Sequence, residues 1–120
     1  MRGRLENLIG QTIFHNTEIV VVNSGSQEDE EMIVREYASS YPNISYTATI
    51  QRETIYRAWN RGIALARGRF ITNANTDDVL RNDALEILAL ALNANPGVAM
   101  VYADQYVSHI PNQLFVDAHN

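Results

Sequence analysis

The 120-residue chain contains no cysteine, and its nine basic residues are all arginine. Without cysteine, disulfides and thiolate chemistry are excluded. Without lysine there is no P-loop, which needs its Lys on the phosphates, and no Schiff-base chemistry. No apolar run approaches the ~18 residues of a membrane span. The opening Met1-Arg-Gly-Arg-Leu-Glu-Asn7 lacks the apolar centre of a signal peptide. A net charge of −5 argues against a general nucleic-acid or membrane-surface partner. Proline is scarce, and two of the three prolines mark breaks, at Pro42-Asn43 and Asn95-Pro96-Gly97. The expectation is one α/β domain, or part of one, in a cytoplasmic setting.

What the chain does have is alternation. Leu5, Leu8 and Ile9 fall at i, i+3, i+4, which predicts an amphipathic helix over 4–12. Glu18–Asn23 is a continuous β-branched run of the kind buried on both faces of a parallel sheet. It stops at the turn cluster Asn23-Ser24-Gly25-Ser26. Ser26 and Asp29 then stand close to a capping box, with acids in the first turn of a helix running to about Tyr41. Ile44–Thr49 reads as a second strand. Ile55, Ala58, Trp59, Gly62, Ile63 and Ala66 hold helical spacing, with Trp59 on the stripe expected to be buried and Gly68 placed as a C′ glycine.

The rest continues the pattern. A strand is expected at Phe70–Asn73, then a helix capped by Asn82 or Asp83 with Leu85, Leu88, Ala89 and Leu92 on its buried stripe. A long strand is expected at Val98–Val107, and Leu114–Val116 is a further short candidate. Alternating helices and strands predict a mostly parallel sheet flanked by helices. No strand precedes the first helix, although a doubly wound domain normally opens with one. The chain therefore reads as a single partial domain, 1–120, whose missing neighbour a second copy or its own tail near Leu114–Val116 is expected to replace.

Two polar tips follow strands: Asn23-Ser24-Gly25-Ser26 and Asn75-Thr76-Asp77-Asp78. If the strands are parallel, both tips lie along one edge of the sheet, where ligands of open α/β folds bind. Taken alone, the first is a turn plus helix cap and the second an acidic loop. Asp77, Asp78 and the Asn75 amide together form a hard-oxygen set suited to Mn²⁺ or Mg²⁺. Five of the nine arginines, at 52, 57, 61, 67 and 69, lie just before this acidic tip, and Arg binds oxyanions bidentately. Asp104 follows a late strand and is not assigned a role beyond capping a turn. His15, His109 and His119 lack metal-ligand spacing.

These stretches, in this order, resemble family 2 glycosyltransferases. Glu18-Ile-Val-Val-Val-Asn-Ser-Gly-Ser26 is similar to the family's nucleotide-binding strand, which usually ends in Asp-Asp-Gly-Ser. Ile55-Tyr-Arg-Ala-Trp-Asn-Arg-Gly-Ile-Ala-Leu-Ala-Arg-Gly-Arg-Phe-Ile71 resembles its Ala-x-Asn-x-Gly-Ile-x-x-Ala-x-Gly-x-Tyr-Ile helix and strand. Asn75-Thr-Asp-Asp78 is similar to its Asp-x-Asp metal motif, and Val101-Tyr-Ala-Asp104 to its Val-Tyr-Gly-Asp. The resemblance implies the nucleotide-sugar-binding half of a GT-A fold, truncated at both ends, with a nucleoside-diphosphate sugar held through a divalent metal and an acceptor that receives the sugar. It places Asp77 and Asp78 at the metal, Asn75 near the ribose or a metal-bound water, and Asn23 and Ser24 near the base and ribose. Arg57 and Asn60 would face the nucleotide from their helix.

The sequence departs from the family pattern at Asn23 and Asn75, each in place of a carboxylate. No catalytic base is identified within the chain, and the isolated piece is expected to transfer no sugar. The departures motivate an alternative, a non-catalytic glycosyltransferase-like module used for assembly. A receiver-like signalling domain ranks last, because such domains set a lysine beside their acids.

Overall fold

The computed structural model describes residues 1–25, 30–75 and 78–103. Its elements run α1 (Arg2–Ile9), a 3₁₀ turn (Phe14–Asn16), β1 (Ile19–Ser24), α2 (Glu30–Ser40), β2 (Ile44–Thr49), α3 (Ile55–Leu65) and α4 (Ala84–Ala94). The chain divides into two compact units: Met1–Arg2 with His15–Asn73, and Gly3–Phe14 with Ala74–Asn120.

In the first unit β1 and β2 pair in parallel, Ile19 opposite Ile44 through Ser24 opposite Thr49. Parallel strands need a crossover, and α2 supplies it. Its first turn carries Glu30 and Glu31, favourable at the positive end of the helix dipole. Glu31 also accepts from Arg35 one turn on, at 2.8 Å. After Pro42 the Asn43 side chain donates to the Thr17 carbonyl at 2.7 Å, and Ile19 N–H donates to the Asn43 carbonyl. This clasp sets both strands off in register. Successive residues of a strand point to opposite faces. Asn23 and Tyr46 share the α2 face, where the Arg35 guanidinium lies over the Tyr46 ring. Val22 points the other way, under Gly62 of α3. Buried apolar residues of this unit include Ile19, Val34, Tyr37 and Ile44.

In the second unit α1 buries Leu5 and Leu8, as its spacing predicts, but ends at Ile9 rather than 12 because Gly10 and Gln11 close it with backbone bonds to Glu6 and Leu8. On α4, Leu85, Leu88, Ala89 and Leu92 are half-buried whereas Ile87 and Leu90 are exposed. The ranking along that helix follows the predicted stripe. Asp83 occupies the N-cap position without a capping side-chain bond; its carboxylate is held by Arg81 instead.

Three expectations are corrected. Residues 70–73 are not a strand, and neither are 98–103; Phe70, Ile71, Val98 and Met100 are exposed. A strand exists only when paired, and among the described residues the sheet has two strands, so these runs find no partner. Trp59 is 38% exposed, not core, because among the described residues the sheet has no further strand to cover it. Gly68 has no left-handed backbone: α3 closes through Ala66, whose N–H bonds the Gly62 and Ile63 carbonyls before the chain leaves in extended conformation. The capping pair Ser26 and Asp29, the acid Asp77, residues 104–107, His109, Leu114–Val116 and His119 lie outside the described residues. Among the described residues no helix is long and apolar enough to cross a membrane.

Candidate functional site

At the carboxyl ends of β1 and β2 the backbone of the corner is fixed by its neighbours. Gly25 has φ +69°, and a Cβ there would lie 2.7 Å from Arg52 N and 2.9 Å from its Cα. Only glycine satisfies both the left-handed conformation and that approach. Beside it, Ser24 Oγ accepts the Glu53 N–H at 2.7 Å, binding the tip of β1 to the loop that leaves β2. Asn23 is buried, and its Nδ2 donates to Tyr46 Oη at 2.8 Å. The amide that stands where the resemblance expects a carboxylate is thus engaged toward the α2 face.

Glu53 is the charge centre of this corner. Arg61 grips it through Nε and Nη2, the latter at 3.0 Å, and this hydrogen bonding holds its carboxyl below the ordinary glutamate value. The Arg61 charge and, more weakly, the Arg57 charge act in the same direction. Thr54 caps α3 by accepting Arg57 N–H at 3.3 Å, which starts the helix at the mouth of the corner. Arg57 and Asn60 are exposed on α3. A shallow groove of about 360 Å³ lies elsewhere in this unit, lined by Glu18, Val20, Ser45, Tyr46, Thr47, Leu65 and Arg67. It sits by the beginnings of the strands, so it is not at the ligand edge of an open α/β sheet.

In the second unit, Asn75 Nδ2 donates to Asp78 Oδ2 at 3.2 Å and Asp78 N–H reaches the Asn75 carbonyl at 3.4 Å. With its nitrogen turned to Asp78, the Asn75 amide leaves its oxygen as the atom to meet a cation. Asp78 is exposed. The donors described here are therefore hard oxygens, which fit Mn²⁺ or Mg²⁺. Asp77, the other proposed ligand, lies outside the described residues, and among the described residues no group of three metal-ligating side chains assembles.

The sequence reading missed what holds this acidic segment. Arg4 donates to the Asp78 carbonyl at 2.6 Å, and Asn7 clasps Leu80 at two points, Nδ2 to its carbonyl at 2.8 Å and Oδ1 from its N–H at 2.9 Å. Gln11 donates to the Arg81 carbonyl at 2.9 Å and accepts Leu85 N–H at 3.2 Å. The spacing i, i+3, i+7 was there to be read as a polar stripe beside Leu5 and Leu8. Tyr46 and Glu53 gave no sequence signal, because both act through the fold.

The sequence profile described as glycosyl transferase family 2 matches residues 1–113. The chain is 36% identical over 83 residues to the minor teichoic acid biosynthesis protein GgaB of Bacillus subtilis, covering 68% of this chain and 9% of that protein. It is 31% identical over 104 residues to the uncharacterized glycosyltransferase YibD of Escherichia coli, covering 86% and 30%. It is 28% identical over 98 residues to an Escherichia coli chondroitin synthase, covering 82% and 14%. The chain thus spans less than a third of the length of these relatives. No solved structure matches it. The chain belongs to glycosyl transferase family 2 and has its α/β fold, a parallel pair of strands flanked by helices as in a truncated GT-A domain.

Proposed function

We propose that this chain is the nucleotide-sugar-binding part of a glycosyltransferase, holding a nucleoside-diphosphate sugar with Mn²⁺ or Mg²⁺ for transfer of the sugar to an acceptor. The observation that carries the reading is the β1 corner. A glycine-only turn and Ser24 lock the end of the strand to the following loop, and α3 begins there, with its Arg61 holding Glu53. In this reading Asn23 and Ser24 form the nucleoside wall, and Arg57 and Asn60 lie on the side of the diphosphate. Asn75, Asp77 and Asp78 would hold the metal. In the transfer, an acceptor hydroxyl forms a bond to the anomeric carbon while the bond to the diphosphate breaks and the nucleoside diphosphate leaves. The metal, when bound, offsets the negative charge growing on that leaving group. Arginine side chains on α3 add to the same effect.

The acceptor and the general base are not supplied by any residue assigned here, so the isolated chain is expected to bind without transferring. Self-association belongs to the same reading, supported by the exposed Tyr56, Trp59 and Ile63 of α3. One observation favours a second reading, a non-catalytic assembly module: the Asn23 amide is engaged with Tyr46 rather than presented as a charged acceptor. Sugar transfer by a longer protein containing this chain would exclude it.

Calorimetric titration with UDP, GDP, CDP and ADP in turn, with and without Mn²⁺, tests the first reading. One of them should bind only with the metal, and Asp77→Ala or Asp78→Ala should abolish that binding. Binding that ignores Mn²⁺ or survives Asp77→Ala removes the metal from the account.

A further inference from the structure

We infer that the polar stripe Arg4-Asn7-Gln11, which starts on α1 and ends just beyond it, is the positioning element for the acidic segment, so that this stripe sets how tightly a metal-diphosphate is held. The inference rests on the reading of Asn75 and Asp78 as metal donors. Its physical basis is the economy of the second unit. Arg4 and Asn7 of α1, with Gln11 just past its end, make five hydrogen bonds to the main chain of residues 78–85. Thr12 N–H adds a bond to the Asn82 carbonyl at 2.9 Å. A segment without regular structure between residue 78 and α4 has no ladder to satisfy its backbone groups. Here these side chains take that place.

Arg4 sharpens the argument. It is 6% exposed, and burying a guanidinium is costly unless hydrogen bonds compensate. A segment that only needed an anchor could rest on apolar side chains. What a buried cation adds is direction: it draws the Asp78 carbonyl inward, and Asn7 Oδ1 steadies the guanidinium from the side at 3.2 Å. With the carbonyl held down, the Asp78 side chain stands exposed beside Asn75. Groups that orient metal ligands in this way change metal affinity by about 10- to 100-fold when removed.

The test uses the whole chain with two readouts. Mn²⁺-dependent binding of the four nucleoside diphosphates is followed by calorimetry and by the electron paramagnetic resonance spectrum of the bound Mn²⁺. Amide hydrogen exchange is followed at Leu80 and Leu85, with β1 and β2 as reference. Asn7→Ala should speed exchange at Leu80 and weaken metal-dependent binding at least tenfold while β1 and β2 keep their protection. Arg4→Met should weaken binding likewise, and Arg4→Lys, which keeps a cation within reach of the Asp78 carbonyl, should recover most of it. Lost protection at Leu80 with unchanged affinity overturns the inference, as does an Arg4→Met variant that binds like the unsubstituted chain. If the unsubstituted chain binds no Mn²⁺-diphosphate, the proposed function fails instead. Exchange at Leu80 then decides alone: faster exchange confined to 78–85 in Asn7→Ala upholds the positioning role, and unchanged exchange overturns it.

Discussion

Helices α2 and α3 are each 11 residues long and lie on opposite faces of the same two strands, yet they are used very differently. On α2, Val34 is fully buried and Tyr37 is 9% exposed. On α3 no residue is buried, although its apolar and polar faces are the more cleanly separated of the two. The difference lies in what is underneath. Helix α2 packs on both strands, whereas α3 packs on β1 and meets it through Gly62 and the half-buried Ala58. Leu65 lines the groove with Val20 and Thr47, and it is left exposed together with Ile55, Tyr56, Trp59 and Ile63. Amphipathic spacing declares which face of a helix wants burial; the width of the sheet decides whether it is granted.

The strongest way to break this comparison is to truncate one large side chain on each helix. Tyr37→Ala should cost about 3 kcal/mol in urea unfolding, since it empties a buried aromatic site and removes the ring under the Arg2 guanidinium. Trp59→Ala should cost less than Tyr37→Ala at low protein concentration, because the indole is already 38% exposed. If α3 is covered by a second copy, the Trp59 penalty grows with concentration, and sedimentation shows the variant shifting toward monomer. Equal penalties for the two substitutions at low concentration would mean that α3 is covered within one chain.

The glycines give a smaller test of the same contrast, crowded corner against open helix face. Gly25→Ala forces a Cβ into Arg52 in a left-handed backbone and should destabilise by about 2 kcal/mol or more. Gly62→Ala places its Cβ 3.6 Å from Val22 Cγ2, an ordinary contact, and gains helix propensity. It should stabilise by about 0.5–1 kcal/mol in thermal unfolding. A destabilising Gly62→Ala would show that α3 sits closer to β1 than the contact distance indicates.

Much of this was legible from local chemistry. The β2 limits, the turn at Gly25, the break at Pro42 and the start of α3 all follow from residues acting on their own backbone or near neighbours. Phe70–Asn73 and Val98–Val107 carry the same β-branched signal as β1, but a strand is a property of a pair, and one sequence run does not report whether its partner is present. The site divides in the same way. Asn23, Ser24, Asn75 and Asp78 were marked by residue type at loop positions. Arg4, Asn7 and Gln11 carry no such mark, since their partners stand about 70 residues away and are main-chain atoms that any residue could supply.

The smallest effect expected is electrostatic, and it too sets α2 against α3. Glu36 on α2 accepts from Arg2 at 3.0 Å, and Glu53 ahead of α3 accepts from Arg61 at the same distance. Each carboxyl is held below its ordinary 4.5, first by the hydrogen bond and then by the charge of its arginine, against the cost of burial. A folded value below the unfolded one means the stabilisation is complete above about pH 4.5. It is lost as pH falls through the depressed folded value. Carboxyl ¹³C titration should find both midpoints below 4.5, and Arg61→Met should return Glu53, but not Glu36, toward it. Raising salt to 1 M contracts the screening length to about 3 Å. The Coulombic part should then fade at both sites while the geometry of the Arg61 fork persists, because that fork joins the corner of β1 and β2 to the helix above it. A Glu53 that titrates at its ordinary value would mean the fork opens in solution, leaving Ser24 as the tie between the β1 corner and the β2–α3 loop.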